Sequence, residues 1–105
     1  MKSYPISIHR EGYRGSDARK RAKVNNLNRI AGRIEEYLND DLAKKLDDTV
    51  HVYISFTIAS EIGEDAETVR QIIFATDCGS NGITIVKGDF QRAMEAERQA
   101  ARGER

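Results

Sequence analysis

Between Ile58 and Ile73 the chain carries a spacing that few folds satisfy. Ala59 is followed four residues later by Gly63, and Val69 and Ile72 stand six and nine residues beyond the glycine. Ile58 and Ile62 each precede one of the two small residues. The pattern fits two short helices packed at a steep angle across a tight turn. Ala59 must be small because the second helix crosses close to it. Gly63 ends the first helix in a left-handed conformation that only glycine adopts cheaply. Asp65 is placed to cap the second helix, and Val69 and Ile72 turn inward from it.

A chain of 105 residues has room for one small domain. No apolar run approaches the roughly 20 residues of a membrane helix, and the start, Met1-Lys2-Ser3-Tyr4-Pro5, lacks the apolar core of an export signal. Cys78 is the single cysteine, which excludes an internal disulfide and favours the cytoplasm, with the thiol expected to be an inert small hydrophobe. The net charge of zero conceals segregation. Residues 1–33 hold nine Lys or Arg against Glu11 and Asp17, whereas residues 34–69 hold ten Asp or Glu against Lys44 and Lys45. Such asymmetry predicts one end that attracts polyanions and a body that does not.

Residues 1–17 read as a flexible basic arm, with Tyr4 to Ile8 able to pair as a short edge strand before Gly12 and Gly15 break the pattern. A long helix opens at Ala18, and Val24, Leu27, Ile30, Ala31, Ile34 and Leu38 form one apolar stripe along it. Asn39-Asp40-Asp41 is expected to interrupt that helix before Leu42 and Leu46. Val50, Val52, Ile54 and Phe56 alternate with His51, Tyr53 and Ser55, the period of a half-buried strand with His51 on its polar face. Ser55 is expected to cap the helix that follows. Gly79-Ser80-Asn81-Gly82 is a turn, with Asn-Gly suited to a tight hairpin. Ile83 to Val86 is the clearest β-branched run and should pair with Val50 to Ile54. A helix from Asp89 to Arg102 has only Phe90, Met94 and alanines to bury, so it should be partly frayed.

At Ala59, Gly63, Val69, Ile72 and their apolar neighbours the chain resembles the helix-turn-helix family of DNA-binding proteins. Taken with the long helix before the motif and the strands on either side, residues 18–87 are similar to the winged-helix variant. The wing is reduced, because Thr76 to Gly79 makes a poor strand. The expected fold is therefore α+β and mainly helical, a winged-helix-like three-helix core with a small two- or three-stranded antiparallel sheet. It divides into an arm (1–17), the domain (18–88) and a C-terminal helix (89–105).

The resemblance implies a non-enzymatic reader of double-stranded DNA, a transcriptional regulator of a bacterium or phage, docking helix 65–75 in the major groove. Its exposed face would be Ala66, Glu67, Arg70, Gln71 and Phe74. Arg70 suits guanine and Gln71 adenine, while Thr68 and first-turn amides suit a phosphate. Asn81 and Lys87 are wing contacts by position. Arg10, Arg14, Arg19, Lys20, Arg21 and Lys23 would follow phosphates or enter the minor groove. A single module reads weakly, so a homodimer through the long or the C-terminal helix is expected.

Glu61, Glu64, Asp65 and Glu67 oppose this reading, since carboxylates repel the phosphate backbone. A second class of function therefore stays open, a protein-interaction module whose acidic surface around 61–67 meets a basic partner. The spacing of His9, His51 and Cys78 offers neither a zinc site nor a nucleophile with its base, and Glu35-Glu36, Asp40-Asp41 and Asp47-Asp48 diverge as neighbours in sequence. No cofactor and no catalysis are expected.

Overall fold

A computed structural model describes residues 6–45 and 50–103, including side chains except those of 87–90, 93 and 103. Tyr4 and Pro5, Leu46, the Asp47-Asp48 pair, and the side chains of Lys87 and Phe90 lie outside what is described. The order of elements is α1 (Ala18–Lys44), β1 (Val50–Ile54), α2 (Ser55–Ile62), α3 (Ala66–Thr76), β2 (Gly82–Val86) and α4 (Lys87–Gly103). The fold is mainly helical α+β, with α1, α2 and α3 around one core and a two-stranded antiparallel sheet beside them.

Helix α1 begins at Asp17, whose carboxylate accepts from the amides of Arg19 (2.9 Å) and Lys20 (3.3 Å). Its stripe of Ile30, Ala31, Ile34, Leu38 and Leu42 is buried. The interruption expected at Asn39-Asp40-Asp41 does not occur. Asn39 is itself buried and fully engaged: its amide donates to the carbonyls of Glu35 (2.8 Å) and Ile6 (3.3 Å), and its oxygen accepts from the Ile6 amide. With that polar group satisfied, the helix continues and brings Leu42 into the core.

The same side chain helps tie down the segment expected as a flexible arm. Along one face of α1, Asn28, Glu35 and Asn39 recur at helical spacing and form a ladder for the backbone of residues 6–11. Glu11 and Asn28 exchange two hydrogen bonds of 2.9 Å, and the Ile8 amide reaches Glu35. Ile8 is buried and Ile6 packs on the core. Residues 6–8 adopt no strand; side-chain partners take the place of a sheet.

Between α2 and α3 the expected hinge is present. Gly63 has φ 68° and ψ 37°, and the amide of Glu64 closes back onto the Ala59 carbonyl at 3.1 Å. This six-residue closure terminates a helix when the residue after its end is left-handed. Asp65 caps α3 as expected. Ser55 does not cap α2: it is the first helical residue, it is buried, and its amide donates to the Asn81 carbonyl at 2.8 Å.

Register in the sheet runs from Val50 opposite Val86 to Ile54 opposite Gly82. Asn81-Gly82 is therefore not the centre of a hairpin. Gly82 opens β2, where a Cβ would stand 2.8 Å from the Tyr53 carbonyl oxygen. Directly paired residues share a face, so Ile83 and Ile85 lie with Tyr53 and His51. That face packs on the core, and the Tyr53 hydroxyl donates to Asp41 at 2.7 Å. Val50, Val52 and Ile54, read from the sequence as an inward set, are instead 55%, 62% and 53% exposed, and Phe56 is 72% exposed. The isoleucines of β2 decide which face is buried, and Tyr53 can follow them because its hydroxyl has a partner. Helix α4 follows β2 without a turn, two residues earlier than expected, and Met94 packs partly on the core.

Candidate nucleic-acid interface

Helix α3 buries Val69, Ile72 and Ile73 against α1 and α2. The 3.6-residue period then leaves Ala66, Glu67, Gln71 and Phe74 exposed, with Arg70 half-exposed beside them. Arg70, Gln71 and Phe74 line one shallow depression on this face. Gln71 also lines a cleft with His9, Glu11, Leu27, Asn28, Ile72 and Ala75. The tied-down N-terminal segment thus runs beside α3, and the His9 amide donates to the Thr76 hydroxyl at 3.1 Å.

Leu27 in that cleft locates the basic turns of α1. Lys23 lies one helical turn before Leu27 and Arg19 one turn before that, on the same side of the helix. Arg14, Arg19, Lys20 and Lys23 are exposed and have no ion-pair partner among the described residues. The first turn of α1 holds no acidic residue to offset them. Other cations are committed elsewhere. Arg10 donates to Glu35 at 3.0 Å and to the Ile8 carbonyl at 2.9 Å, and Arg21 donates to the Gly15 carbonyl at 2.7 Å.

Three of the four carboxylates near the hinge are already engaged. Glu64, with its side chain 13% exposed, is held by Arg29 at 3.0 Å and by Arg33. Hydrogen bonding from Arg29 foremost, and from Arg33, keeps its carboxyl below the usual glutamate range against the opposing effect of burial. Glu67 pairs with Arg70 through two contacts of 2.6 and 3.1 Å. Asp65 accepts from the amide of Thr68 (3.0 Å) and from its hydroxyl (2.9 Å), which holds the carboxyl below the usual aspartate range. Glu61 alone of the four has no partner among the described residues.

This geometry sorts the residues expected from the sequence. Arg70 and Gln71 stand together on the open face of α3, but Arg70 must exchange Glu67 for a base edge before it can read one. Thr68 is poorly placed for a phosphate, because its hydroxyl and amide already serve Asp65. Asn81 is exposed in the turn before β2, with its carbonyl used by Ser55. Arg29, Arg33 and Asn28 were not singled out from the sequence. The i,i+4 pair Arg29/Arg33 was visible there, but its partner lies 31 residues beyond Arg33. Cys78, expected as a small hydrophobe, is exposed, with φ 45° just beyond α3.

Among the described residues no cluster of three or more His, Cys, Asp or Glu could hold a metal ion, and no helix is long and apolar enough to cross a membrane. Comparison with protein-family models, with curated proteins and with solved structures gives no match.

Proposed function

We propose that this protein is a small double-stranded-DNA-binding regulator of winged-helix type, acting in the cytoplasm of a bacterium or phage-infected cell. Helix α3 enters the major groove, and the basic first turns of α1 contact the flanking phosphates. The observation that carries this reading is the placement of the unpaired cations. Arg19 and Lys23 project along the side of α1 that meets Gln71 in the cleft, next to the exposed face of α3. The electrostatic objection is reduced at Glu64, which Arg29 and Arg33 hold, whereas Asp65 keeps its charge and Glu67 gives up its partner when Arg70 turns to a base. For the alternative of a basic protein docked on residues 61–67, Glu61 and Asp65 are the carboxylates there without a cationic partner among the described residues.

Fluorescence anisotropy with a random-sequence duplex at low and moderate salt tests the reading. Binding is expected at low salt, with affinity falling steeply as salt rises. Lys20→Ala and Lys23→Ala should each weaken binding on all sequences and reduce the slope of log affinity against log salt by roughly 1. Arg70→Ala or Gln71→Ala should instead remove sequence preference in a selection from random duplexes. Absence of any duplex binding at low salt would overturn the proposal.

A further inference from the structure

On the side of the molecule where the sheet meets the C-terminal half of α1, a groove of about 400 Å³ is lined by Tyr37, Asp41, Val52, Ile54, Thr57 and Glu61, among others. Tyr53 lines it too, so three successive residues of β1 face the same groove. Side chains alternate along a strand, and a groove touching three in a row therefore runs along the strand's edge and not across one face. Among the described residues β1 is paired on one edge only, with β2. Edges of this kind accept an added strand unless charge, proline or a covering element prevents it.

The rim is acidic. Among the described residues Glu61 has no ion-pair partner, and Asp41 accepts from Tyr53 and pairs with Lys45 at 3.5 Å. Glu36 and Asp40, with Arg33, line the adjoining cleft, which shares Tyr37 with the groove. Burial and then the charges of Asp41 and Glu61 push the Tyr37 phenol up, as expected where both carboxylates act on one place. The apolar floor continues into Val50 and Val86, which share the exposed face of the sheet with Val52 and Ile54.

We infer that the free edge of β1 is a docking site for an extended basic segment of a partner protein, one that alternates lysine or arginine with aliphatic residues. The segment pairs as a third strand, its aliphatic side chains covering Val52 and Ile54 and its cations facing Asp41 and Glu61. A second copy of this chain fits less well. Two-fold pairing brings the same patch against itself, and so sets Asp41 and Glu61 of one copy against their counterparts. The site is separate from the α3 surface, and the inference does not rest on DNA binding.

The test uses the full chain and three labelled peptides of equal length, alternating Lys-Val, Lys-Gly and Glu-Val. The Lys-Val peptide should bind, with its amide shift changes centred on Val50 to Ile54, while the other two bind at least about tenfold more weakly, a difference near 1.4 kcal/mol. Val52→Ser and Glu61→Lys, both at exposed positions, should each weaken the Lys-Val peptide several-fold without changing the circular dichroism spectrum. Equal binding of Lys-Gly would reduce the effect to charge alone and overturn the inference, as would no binding of Lys-Val at about 1 mM. A monomer–dimer equilibrium in sedimentation that Val52→Ser abolishes would overturn it in favour of self-association.

Discussion

Gly63 is left-handed with nothing within 4 Å of the place a Cβ would occupy. Space is not the constraint there; backbone conformation is. Gly63→Ala should therefore lower stability by about 1 kcal/mol, read as a shift in urea midpoint with unchanged slope, and Gly63→Asn by less. An unchanged midpoint for the alanine variant would contradict a left-handed closure. Glu64, the next residue, makes a prediction about pH. Its carboxyl is held below the usual range by Arg29, so the folded state binds this proton less readily than the unfolded chain. The resulting stabilisation is present above the ordinary glutamate pKa and is lost as pH falls through the lower, native value. Glu64→Gln should lower the urea midpoint at pH 7, and the gap between variant and parent should close progressively below pH ~4.5, the region where an unshifted glutamate titrates. A gap independent of pH would show that the Arg29–Glu64–Arg33 contact contributes through packing alone.

The elements legible in the sequence were those whose signal is local. The α2–α3 hinge depends on Ala59, Gly63 and Asp65, all within a few residues of the contacts they make, and it is present with Gly63 left-handed and Asp65 capping. The pairing of β1 with β2 followed from two β-branched runs. The buried face of β1 was not legible, because Val50/Val52/Ile54 reads as the apolar set until the register places Ile83 and Ile85 opposite Tyr53 and His51. The attachment of residues 6–11 was hidden for another reason. Its signal is a polar stripe, Asn28, Glu35 and Asn39, and a polar stripe on a long helix ordinarily means a solvated face. Asn39 is the member with most to lose. Asn39→Ala removes two partners from the Ile6 backbone and one from Glu35, in a buried setting. Amide exchange should accelerate at residues 6–11 while α2 and α3 keep their protection. Uniform acceleration across the domain would mean that the segment is integral to the core and has no separate attachment.

At the scale of the whole molecule, a net charge of zero conceals a basic pole at the start of α1 and an acidic one near its far end. Folding closes part of the segregation in the sequence, since Arg10 reaches Glu35 and Arg29 and Arg33 reach Glu64. What remains is divided: Arg19, Lys20 and Lys23, without ion-pair partners among the described residues, near the start of α1, and Glu36 and Asp41 beyond its middle with Glu61 of α2 beside them. Lys23 and Glu36 are thirteen residues apart on this helix, roughly 20 Å at 1.5 Å per residue. That exceeds the Debye length of about 10 Å at 0.1 M salt, so neither pole screens the other from a partner. The composition made the two charge blocks legible, whereas which members would neutralise each other was not, because those contacts join residues 25 to 35 positions apart. Two poles of this kind give a neutral protein a double behaviour. At pH 7 and about 0.1 M salt it should be retained both by heparin and by an anion exchanger. Arg19→Glu with Lys23→Glu should abolish heparin retention and leave the anion exchanger unaffected or stronger, and Glu36→Lys with Glu61→Lys should do the reverse. Elution of the parent protein in the void volume of both columns would mean that the poles cancel in the folded chain, and electrostatic steering toward a polyanion would then have no basis.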